Sequence, residues 1–235
     1  MKQFNLLAID TSMEACSASV LVDGKQYSAY EECPQQHSQK ILPMIDGLLS
    51  ECGAKIADMD YLVFGRGPGS FTGVRIACGI VQGLAFGANK RVIGISTLAA
   101  MAQTSEEKRI SVASDARMGE VYYGEYERCA QGHLTCVNES VIPPSVALES
   151  MQAFSPTGIS GSGWHAYPEF AEVVKSHQAT TAFPHAEKMI QLALIELALT
   201  ELQNTTDKLI GMDASELEPV YLRDKVTWKK LPGKE

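Results

Sequence analysis

The feature that most constrains this sequence is a glycine-rich stretch at residues 61–75, whose sequence is YLVFGRGPGSFTGVR. An apolar run at residues 61–64 predicts a buried strand, and the glycines and proline that follow predict a tight turn. A hydroxyl at Ser70 or Thr72 can cap the helix predicted for residues 71–86, because it accepts a hydrogen bond from an unpaired first-turn amide. A strand, a glycine turn and a helix N-terminus together indicate either a structural turn or an anion site.

Two common phosphate-binding motifs do not fit this stretch. A dinucleotide-binding fingerprint that starts at Gly65 needs its third glycine at position 70, where the chain has Ser70. A Walker loop needs Gly-Lys followed by Ser or Thr, and this triplet occurs nowhere in the sequence. The spacing therefore favours a structural turn over a phosphate site.

Composition restricts the class of protein. With 235 residues, of which 45% are hydrophobic and 20% charged, the chain is expected to form one large or two small globular domains. The net charge of −8 disfavours independent binding to nucleic acid, and only residues 225–234 are locally basic. No run approaches the roughly 18 apolar residues of a membrane span, and no signal peptide is recognised, so we expect a cytoplasmic protein without a membrane contact.

The six cysteines are scattered without a Cys-x-x-Cys pair. Several lie in apolar runs, so free buried thiols in a reducing compartment explain them better than disulfides or zinc. His37, beside a predicted helix start, can be a ligand, but a lone histidine in a loop is more often a surface residue. These residues therefore do not predict a metal site.

The N-terminal part of the chain predicts a meander of strands followed by alternating helices and strands. The predicted elements are strands at residues 6–9, 16–22 and 25–30, a helix at residues 38–52, the glycine-turn strand and helix, a strand at residues 91–95 and a short helix at residues 98–103. Asp23-Gly24 is a strong hairpin signal. Pro43 fits best in a first turn, so the regular part of the first helix should begin near Ile41.

The same layout then begins again. A strand at residues 110–114 ends in Asp115, and a second strand follows five residues later at residues 121–126, just as Asp10 separates the first two strands. This recurrence suggests two related halves. Further along, prolines at positions 143, 144 and 156 predict loops, residues 158–164 predict a strand with a glycine turn, and residues 186–202 predict a helix that is apolar nearly all round.

Four segments together resemble the bacterial TsaB (YeaZ) family. They are LAIDTS at residues 7–12, GPGSFTGVR at residues 67–75, DARMGEVY at residues 115–122 and YLR at residues 221–223. The resemblance covers essentially the whole chain. It implies an α/β fold of the actin-like, sugar-kinase and Hsp70 type (ASKHA) with two related βββαβα-derived subdomains, at residues 1–104 and 105–235, the second with a last helix between the halves and an extended tail.

The resemblance also implies a function. TsaB proteins take part in forming threonylcarbamoyladenosine on tRNA, at the adenosine next to the anticodon, as partners of the catalytic paralogue TsaD together with the ATPase TsaE. TsaD binds iron or zinc through a His-x-x-x-His pair, whereas the corresponding residues 94–101 contain no histidine and have Thr97 and Met101 at those places. We therefore expect no metal and no catalytic residue here. A His-Glu-x-x-His sequence is absent as well, which argues against a metalloprotease.

The nucleotide site of the superfamily leaves two interpretations open. By resemblance, Asp10, Thr11, Ser12 and Asp115 match the places that hold phosphates and Mg²⁺. The same residues are also common caps of their own turns. The glycine segment at residues 161–164 is shorter than the nucleotide-clamping run of TsaD. We expect the structural role, with no resident cofactor and at most weak or complex-dependent binding of ATP and Mg²⁺.

The predicted partner surface is formed by the exposed faces of the helices at residues 38–52 and 71–86. It would contact TsaD, or a second copy of the chain when TsaD is absent. The glycine spacing in the second helix lets another backbone approach, either the chain's own sheet or a partner. The basic tail can add to the complex. The predicted partner-binding residues are Ile41, Ile45, Leu48, Leu49, Thr72, Ile76, Gly79, Ile80, Gly83 and Gly87.

Two other classes of function compete with a partner subunit. One is an ATP-dependent transferase that uses Asp10 and Asp115 in a cleft between the halves. The other is a free-standing binder of a small ligand in the same cleft.

Overall fold

The structure is a computed structural model that describes residues 3–178, 183–202 and 211–223. A five-stranded sheet occupies the N-terminal part, with the strand order β3-β2-β1-β4-β5. Its strands are β1 (Leu6–Asp10), β2 (Ala15–Val22), β3 (Lys25–Glu32), β4 (Tyr61–Gly67) and β5 (Arg91–Ser96). The first three strands pair antiparallel, whereas β4 lies parallel to both β1 and β5.

A four-stranded sheet repeats this layout, with the order β8-β7-β6-β9. Its strands are β6 (Arg109–Asp115), β7 (Val121–Arg128), β8 (Leu134–Ile142) and β9 (Gly158–Ser160). Strands β6 to β8 pair antiparallel, and β9 lies parallel to β6, as β4 does to β1. Four strands of the first sheet therefore share the topology of the second sheet, which is the ASKHA arrangement that the resemblance implies.

Six α-helices join or cover these sheets in the described part of the chain. They are α1 (His37–Cys52), α2 (Phe71–Ala88), α3 (Thr97–Ala102), α4 (Pro144–Phe154), α5 (Ala171–Ser176) and α6 (Ala186–Leu202). The crossover from the third to the fourth strand of each sheet contains a helix, α1 in the first half and α4 in the second. The predicted domain boundary after residue 104 lies in the connection between α3 and β6.

The first sheet is covered on both faces. Leu7 and Ile9 of β1 face one side and pack with α1 and α2, while Leu6 and Ala8 face the other side and pack with α6. This alternation is the period of two that a strand imposes on its side chains. Helix α6 comes from the C-terminal part of the chain, yet much of its packing is against the N-terminal sheet.

Two expectations about these elements are corrected, and one strand had not been predicted. Helix α1 begins at His37 rather than near Ile41, with Pro43 inside it on the exposed side. Pro143 and Pro144 do not form a loop: Pro143 caps α4 and Pro144 is its first residue, where a missing N–H removes no helical bond. Strand β8 was not predicted, because none of its side chains is fully buried and they give no apolar alternation.

Helix α2 also corrects the expectation about membrane spans. Its 18 residues have a mean hydropathy of 1.4, so α2 is long and apolar enough to cross a membrane by length and composition. Core helices of globular proteins pass the same test. Here the helix lies on the first sheet, and only a third of it is buried.

Candidate functional site

The turn after β1 is fully buried and internally bonded. The Oδ1 atom of Asp10 accepts hydrogen bonds from the backbone N of Ser12 at 3.0 Å and from its Oγ at 2.8 Å. The Oγ1 atom of Thr11 donates to the carbonyl oxygen of Gly73 at 2.7 Å. One oxygen of Asp10 and the hydroxyls of Thr11 and Ser12 are thus engaged within the turn and with the glycine-rich stretch.

The glycine loop packs directly against this turn. A Cβ atom on Gly73 would lie 2.1 Å from the carbonyl oxygen of Thr11, and one on Gly69 would lie 2.5 Å from that of Ser12. The N–H of Ser70 donates to the Ser12 carbonyl at 2.7 Å. The Oγ atom of Ser70 caps α2 by accepting from Gly73 N at 2.9 Å. Only glycine permits such a close backbone contact. The chain's own backbone therefore lies where a phosphate cradle was considered.

The second carboxylate oxygen of Asp10 has no hydrogen-bond partner among the described residues. It lies against Gly65, where an added Cβ would come within 1.7 Å of it and within 3.0 Å of the methyl group of Met189 on α6. Burial raises the pKa of Asp10 to about 7, and the two hydrogen bonds from Ser12 offset only part of this shift. Asp10 is therefore a carboxyl group held in the interior at the junction of the first sheet and α6.

Asp115, the matching residue of the second half, is bonded to its own turn. Its Oδ1 accepts from Arg117 N and from the Tyr167 hydroxyl, both at 2.8 Å, and its Oδ2 pairs with the Arg117 guanidinium at 3.0 Å. Burial and this hydrogen bond raise the pKa of Tyr167 to about 12, so the tyrosine stays a donor to Asp115. The same guanidinium reaches Glu14, in the β1–β2 turn, at 3.2 Å. Asp115 thus helps to hold the two hairpin turns together.

The motif at residues 221–223 connects two of the other motifs. The side chain of Arg223 binds Glu120 through its Nε at 3.1 Å and donates to the Arg117 carbonyl at 3.3 Å. Just before it, Val220 N donates to the carbonyl of Arg66 at 2.7 Å. This segment therefore ties strand β4 to the β6–β7 turn. The basic tail at residues 225–234 lies outside the described residues.

The segment that corresponds to the metal ligands of TsaD does not fit a metal ion. Thr97 and Met101 on α3 are fully buried, and Met101 packs in an apolar cluster with Leu98, Ile110 and Tyr126. The Thr97 hydroxyl has no hydrogen-bond partner within the described ranges. Neither a lone hydroxyl nor a thioether replaces imidazole, carboxylate or thiolate as a ligand for iron or zinc.

The structure corrects part of the predicted partner surface on α1. Ile41, Ile45 and Leu48 are 0–4% exposed and pack in the chain's own core, and Leu49 is half-buried against that core. The helical period identified the apolar face correctly, but this face lies on the first sheet. Leu42 was not among the predicted partner-binding residues, yet it is apolar and 49% exposed on α1.

On α2 the predicted face does point away from the protein. Gly79, Gly83 and Gly87 are exposed, and a Cβ added at any of them would meet no atom of the described chain within 4 Å. The alternative that these glycines lie on the chain's own sheet is therefore wrong. Thr72 is exposed as well, while Ile76 and Ile80 are half-buried at the edge of the core.

Several exposed residues of this surface were missed. Phe86 is 83% exposed and borders a shallow groove of about 320 Å³, which is lined by Gly79, Gln82, Gly83, Phe86, Ala214 and Ser215. At the other end of α2, Phe71 is 65% exposed and packs near Tyr221, with the Arg75 guanidinium 3.3 Å from the Phe71 ring centre. The helical period places Phe86 beside Gly83, which could have revealed it. The contact with Tyr221 depends on tertiary structure.

Two sheets of one topology, with the glycine loop closed onto the acidic turn, define a duplicated α/β protein of the ASKHA class. A tRNA threonylcarbamoyladenosine biosynthesis protein TsaB from Escherichia coli is 42% identical over 238 residues, covering 98% of this chain and 99% of the relative. The chain belongs to the TsaB (YeaZ) family. The Haemophilus influenzae protein of the same name is also 42% identical, over the full length of both chains.

Further comparisons agree with this assignment. A family model described as TsaD, tRNA N6-adenosine threonylcarbamoyltransferase, matches residues 30–230. The solved structure of YeaZ from Pseudomonas aeruginosa is 37% identical, with a TM-score of 0.75, and covers 94% of this chain and all of its own. Another P. aeruginosa structure, described as similar to peptidase YEAZ, is 38% identical with a TM-score of 0.80 and the same coverage.

Proposed function

We propose that this chain is a non-catalytic partner subunit in the biosynthesis of tRNA threonylcarbamoyladenosine. It would bind and support the catalytic paralogue TsaD, together with the ATPase TsaE, in modifying the adenosine next to the anticodon. The role in the pathway rests on membership of the TsaB family. The observation that carries the partner role is the outward-facing glycine face of α2.

The α2 surface has the properties of an interface. The helix is apolar over 18 residues, yet two thirds of it are not buried in this chain. An exposed apolar surface of this kind is costly in water and commonly marks a contact site. The open space at Gly79, Gly83 and Gly87 lets the backbone of a second helix approach closely, while Phe86 offers a large apolar side chain beside it. A second copy of this chain could use the same face, so we also propose a homodimer in the absence of TsaD.

The bonding of the acidic residues supports a non-catalytic role. Asp10 and Asp115 are both hydrogen-bonded within their own turns, and Asp10 is fully buried. We propose that these acidic turns hold no resident cofactor and that any ATP or Mg²⁺ binding there is weak or requires the complex. Because the chain carries a net charge of −8, the positive groups that hold tRNA would come from a partner. The proposed location is the cytoplasm.

An ATP-dependent transferase remains the alternative. The raised pKa of Asp10 is a property that catalytic carboxyl groups often have. Its complete burial against Gly65 favours a structural role instead.

Size-exclusion chromatography with light scattering on a mixture of the purified chain and TsaD tests the proposal. The wild-type chain is expected to form a mixed complex, and Gly83→Glu is expected to abolish it, because a charge would enter an apolar interface. Val146→Glu is the matched control: Val146 is 44% exposed on α4, in the other half, so this change should leave the complex intact.

Each result bears on a different part of the proposal. A wild-type chain that stays separate from TsaD and TsaE under all nucleotide conditions would refute the partner role. A complex that survives Gly83→Glu as well as Val146→Glu would exclude α2 as the interface. Circular dichroism on both variants establishes that the substituted chains are folded.

A further inference from the structure

We propose that Cys16, Cys33 and His37 form a binding site for a thiophilic divalent cation, for which Zn²⁺ is the best match. One ligand atom from each residue lies within 4.8 Å of the other two. Cys16 and Cys33 are 0% and 3% exposed, and His37 is half-buried. Two sulfur ligands and one imidazole are a set that selects zinc over magnesium or calcium.

The fold brings these residues together from three segments. Cys16 lies on β2 opposite Glu31 on β3, so Cys33, two residues beyond Glu31, points to the same face of the sheet. The backbone N of Cys33 donates to the carbonyl of Glu14 at 3.0 Å, which extends the strand pairing to this position. The chain then turns, and His37 begins α1 above the same face.

A hydrogen bond to the backbone orients the histidine ring. Its Nε2 lies 2.6 Å from the carbonyl oxygen of Met13. A carbonyl can only accept, so Nε2 is the donor and Nδ1 is the ring nitrogen left to bind a metal ion. Metal-binding histidines commonly donate their second ring nitrogen to a carbonyl in this way, which fixes the orientation of the ring.

The charges of the surroundings favour a cation. Cys16 and Cys33 are buried, and Cys16 pairs with the acidic Glu31 across β2 and β3. Two bare thiolates would be unstable in this buried position, whereas two thiolates and a neutral imidazole form an electrically neutral complex with Zn²⁺. Binding would release one proton from each thiol to solvent, with no change in oxidation state. A water molecule can occupy the fourth position of such a complex.

Such a site would fix the position of α1. The N-terminus of this helix has no capping side-chain bond, since Gln36 at the cap position makes none. A metal ion would bind Cys16 on β2, Cys33 just after β3 and His37, the first residue of α1. It would therefore hold the start of the helix against the sheet. Bound Zn²⁺ should therefore stabilise the folded chain.

The test is a titration of the untagged, full-length chain with ZnCl₂ after chelator treatment and in the presence of a phosphine reductant. We expect one Zn²⁺ per chain by calorimetry, a rise in the unfolding temperature, and a sulfur-to-metal charge-transfer band when Co²⁺ replaces Zn²⁺. His37→Gln and Cys33→Ser should each weaken binding by at least about 100-fold. Cys129→Ser with Cys136→Ser, which removes two exposed thiols, is the matched control and should bind as the wild type does.

Three results would overturn the proposal. The first is a reduced wild-type chain that binds no Zn²⁺. The second is an equal affinity for Zn²⁺ in the wild type and in His37→Gln. Because His37 is only half-buried, this variant is expected to fold. The third is loss of binding in the Cys129→Ser and Cys136→Ser control, which would assign the metal to the exposed thiols. Cys16 and Cys33 could instead form a disulfide in air. If the reduced chain then binds no Zn²⁺, the proposal is overturned in the same way as by the first result.

Discussion

Asp10 shows what a residue type can and cannot predict. Its place after a buried strand, followed by two hydroxyl residues, was compatible with a Mg²⁺ ligand and with a turn cap, and the structure shows the hydrogen bonds of a cap. Ser70 was one of two candidate caps for α2, and it is the one that binds Gly73 N. The sequence could not predict that Gly65 lies against the second oxygen of Asp10, because this contact joins segments far apart in the chain.

The buried carboxyl group makes the stability of the chain depend on pH. The pKa of Asp10 is raised from 3.8 to about 7, so the folded state binds a proton that the unfolded state has already lost between these values. Proton binding by Asp10 stabilises the folded state fully below about pH 4, and this stabilisation is lost as the pH rises through 7. The free energy of unfolding changes by about 4 kcal/mol at most over this range.

Asp10→Asn should remove this dependence, because the amide stays neutral while its oxygen still accepts from Ser12. Urea unfolding at pH 5 and pH 8 measures this pH dependence. The free energy of unfolding should fall more for the wild type than for Asp10→Asn when the pH is raised from 5 to 8. Parallel losses in both proteins would show that Asp10 is not protonated in the folded state.

At the scale of elements, the sequence predicted helices α1, α2, α3 and α6 and most strands, but not what covers each face. The apolar period of α1 is real, yet only the sheet shows that Ile41, Ile45 and Leu48 point inward. Helix α2 is apolar on more than one side, so its period does not indicate which side is free. Strand β8 and helix α4 were missed because an edge strand with exposed side chains and a helix that begins at a proline both lack the usual signals.

Two glycines of α2 allow a matched comparison. Gly73→Ala should destabilise the protein by more than about 2 kcal/mol, since its Cβ would lie 2.1 Å from the backbone oxygen of Thr11. Gly79→Ala has open space and should stabilise the helix by about 0.5–1 kcal/mol. Urea denaturation measures both free energies of unfolding.

The same pair separates folding from assembly. Gly79→Ala should weaken the complex with TsaD even though the isolated chain is more stable, because its methyl group lies on the proposed contact face. If Gly79→Ala bound TsaD with unchanged affinity, the close approach of a partner backbone at this position would be refuted.

In the molecule as a whole, the sequence motifs meet although they are far apart in the chain. The β1–β2 turn, the glycine loop, the β6–β7 turn and the segment that ends at Arg223 contact one another through hydrogen bonds. Repetition of strand, aspartate and strand predicted two related halves. It could not predict this connection, since none of the contacts follows from a periodic pattern.

The ion pair between Arg223 and Glu120 tests that connection. Their side chains are only 18% and 33% exposed, so Arg223→Ala should lower the free energy of unfolding by about 1–3 kcal/mol. A double-mutant cycle with Glu120→Ala should give a coupling energy of about 1 kcal/mol. Additive effects would mean that the segment is held by Val220 and the packing of Tyr221 alone.

The position of α6 has a consequence for how the chain is made. The far face of the N-terminal sheet, with Leu6, Ala8 and Val63, packs against residues 186–197 of this helix. On the ribosome, this face therefore stays uncovered until most of the polypeptide has emerged from the exit tunnel. The N-terminal half is synthesised early but completes its core late, so a nascent chain released before residue 186 would expose an apolar sheet to chaperones and to aggregation.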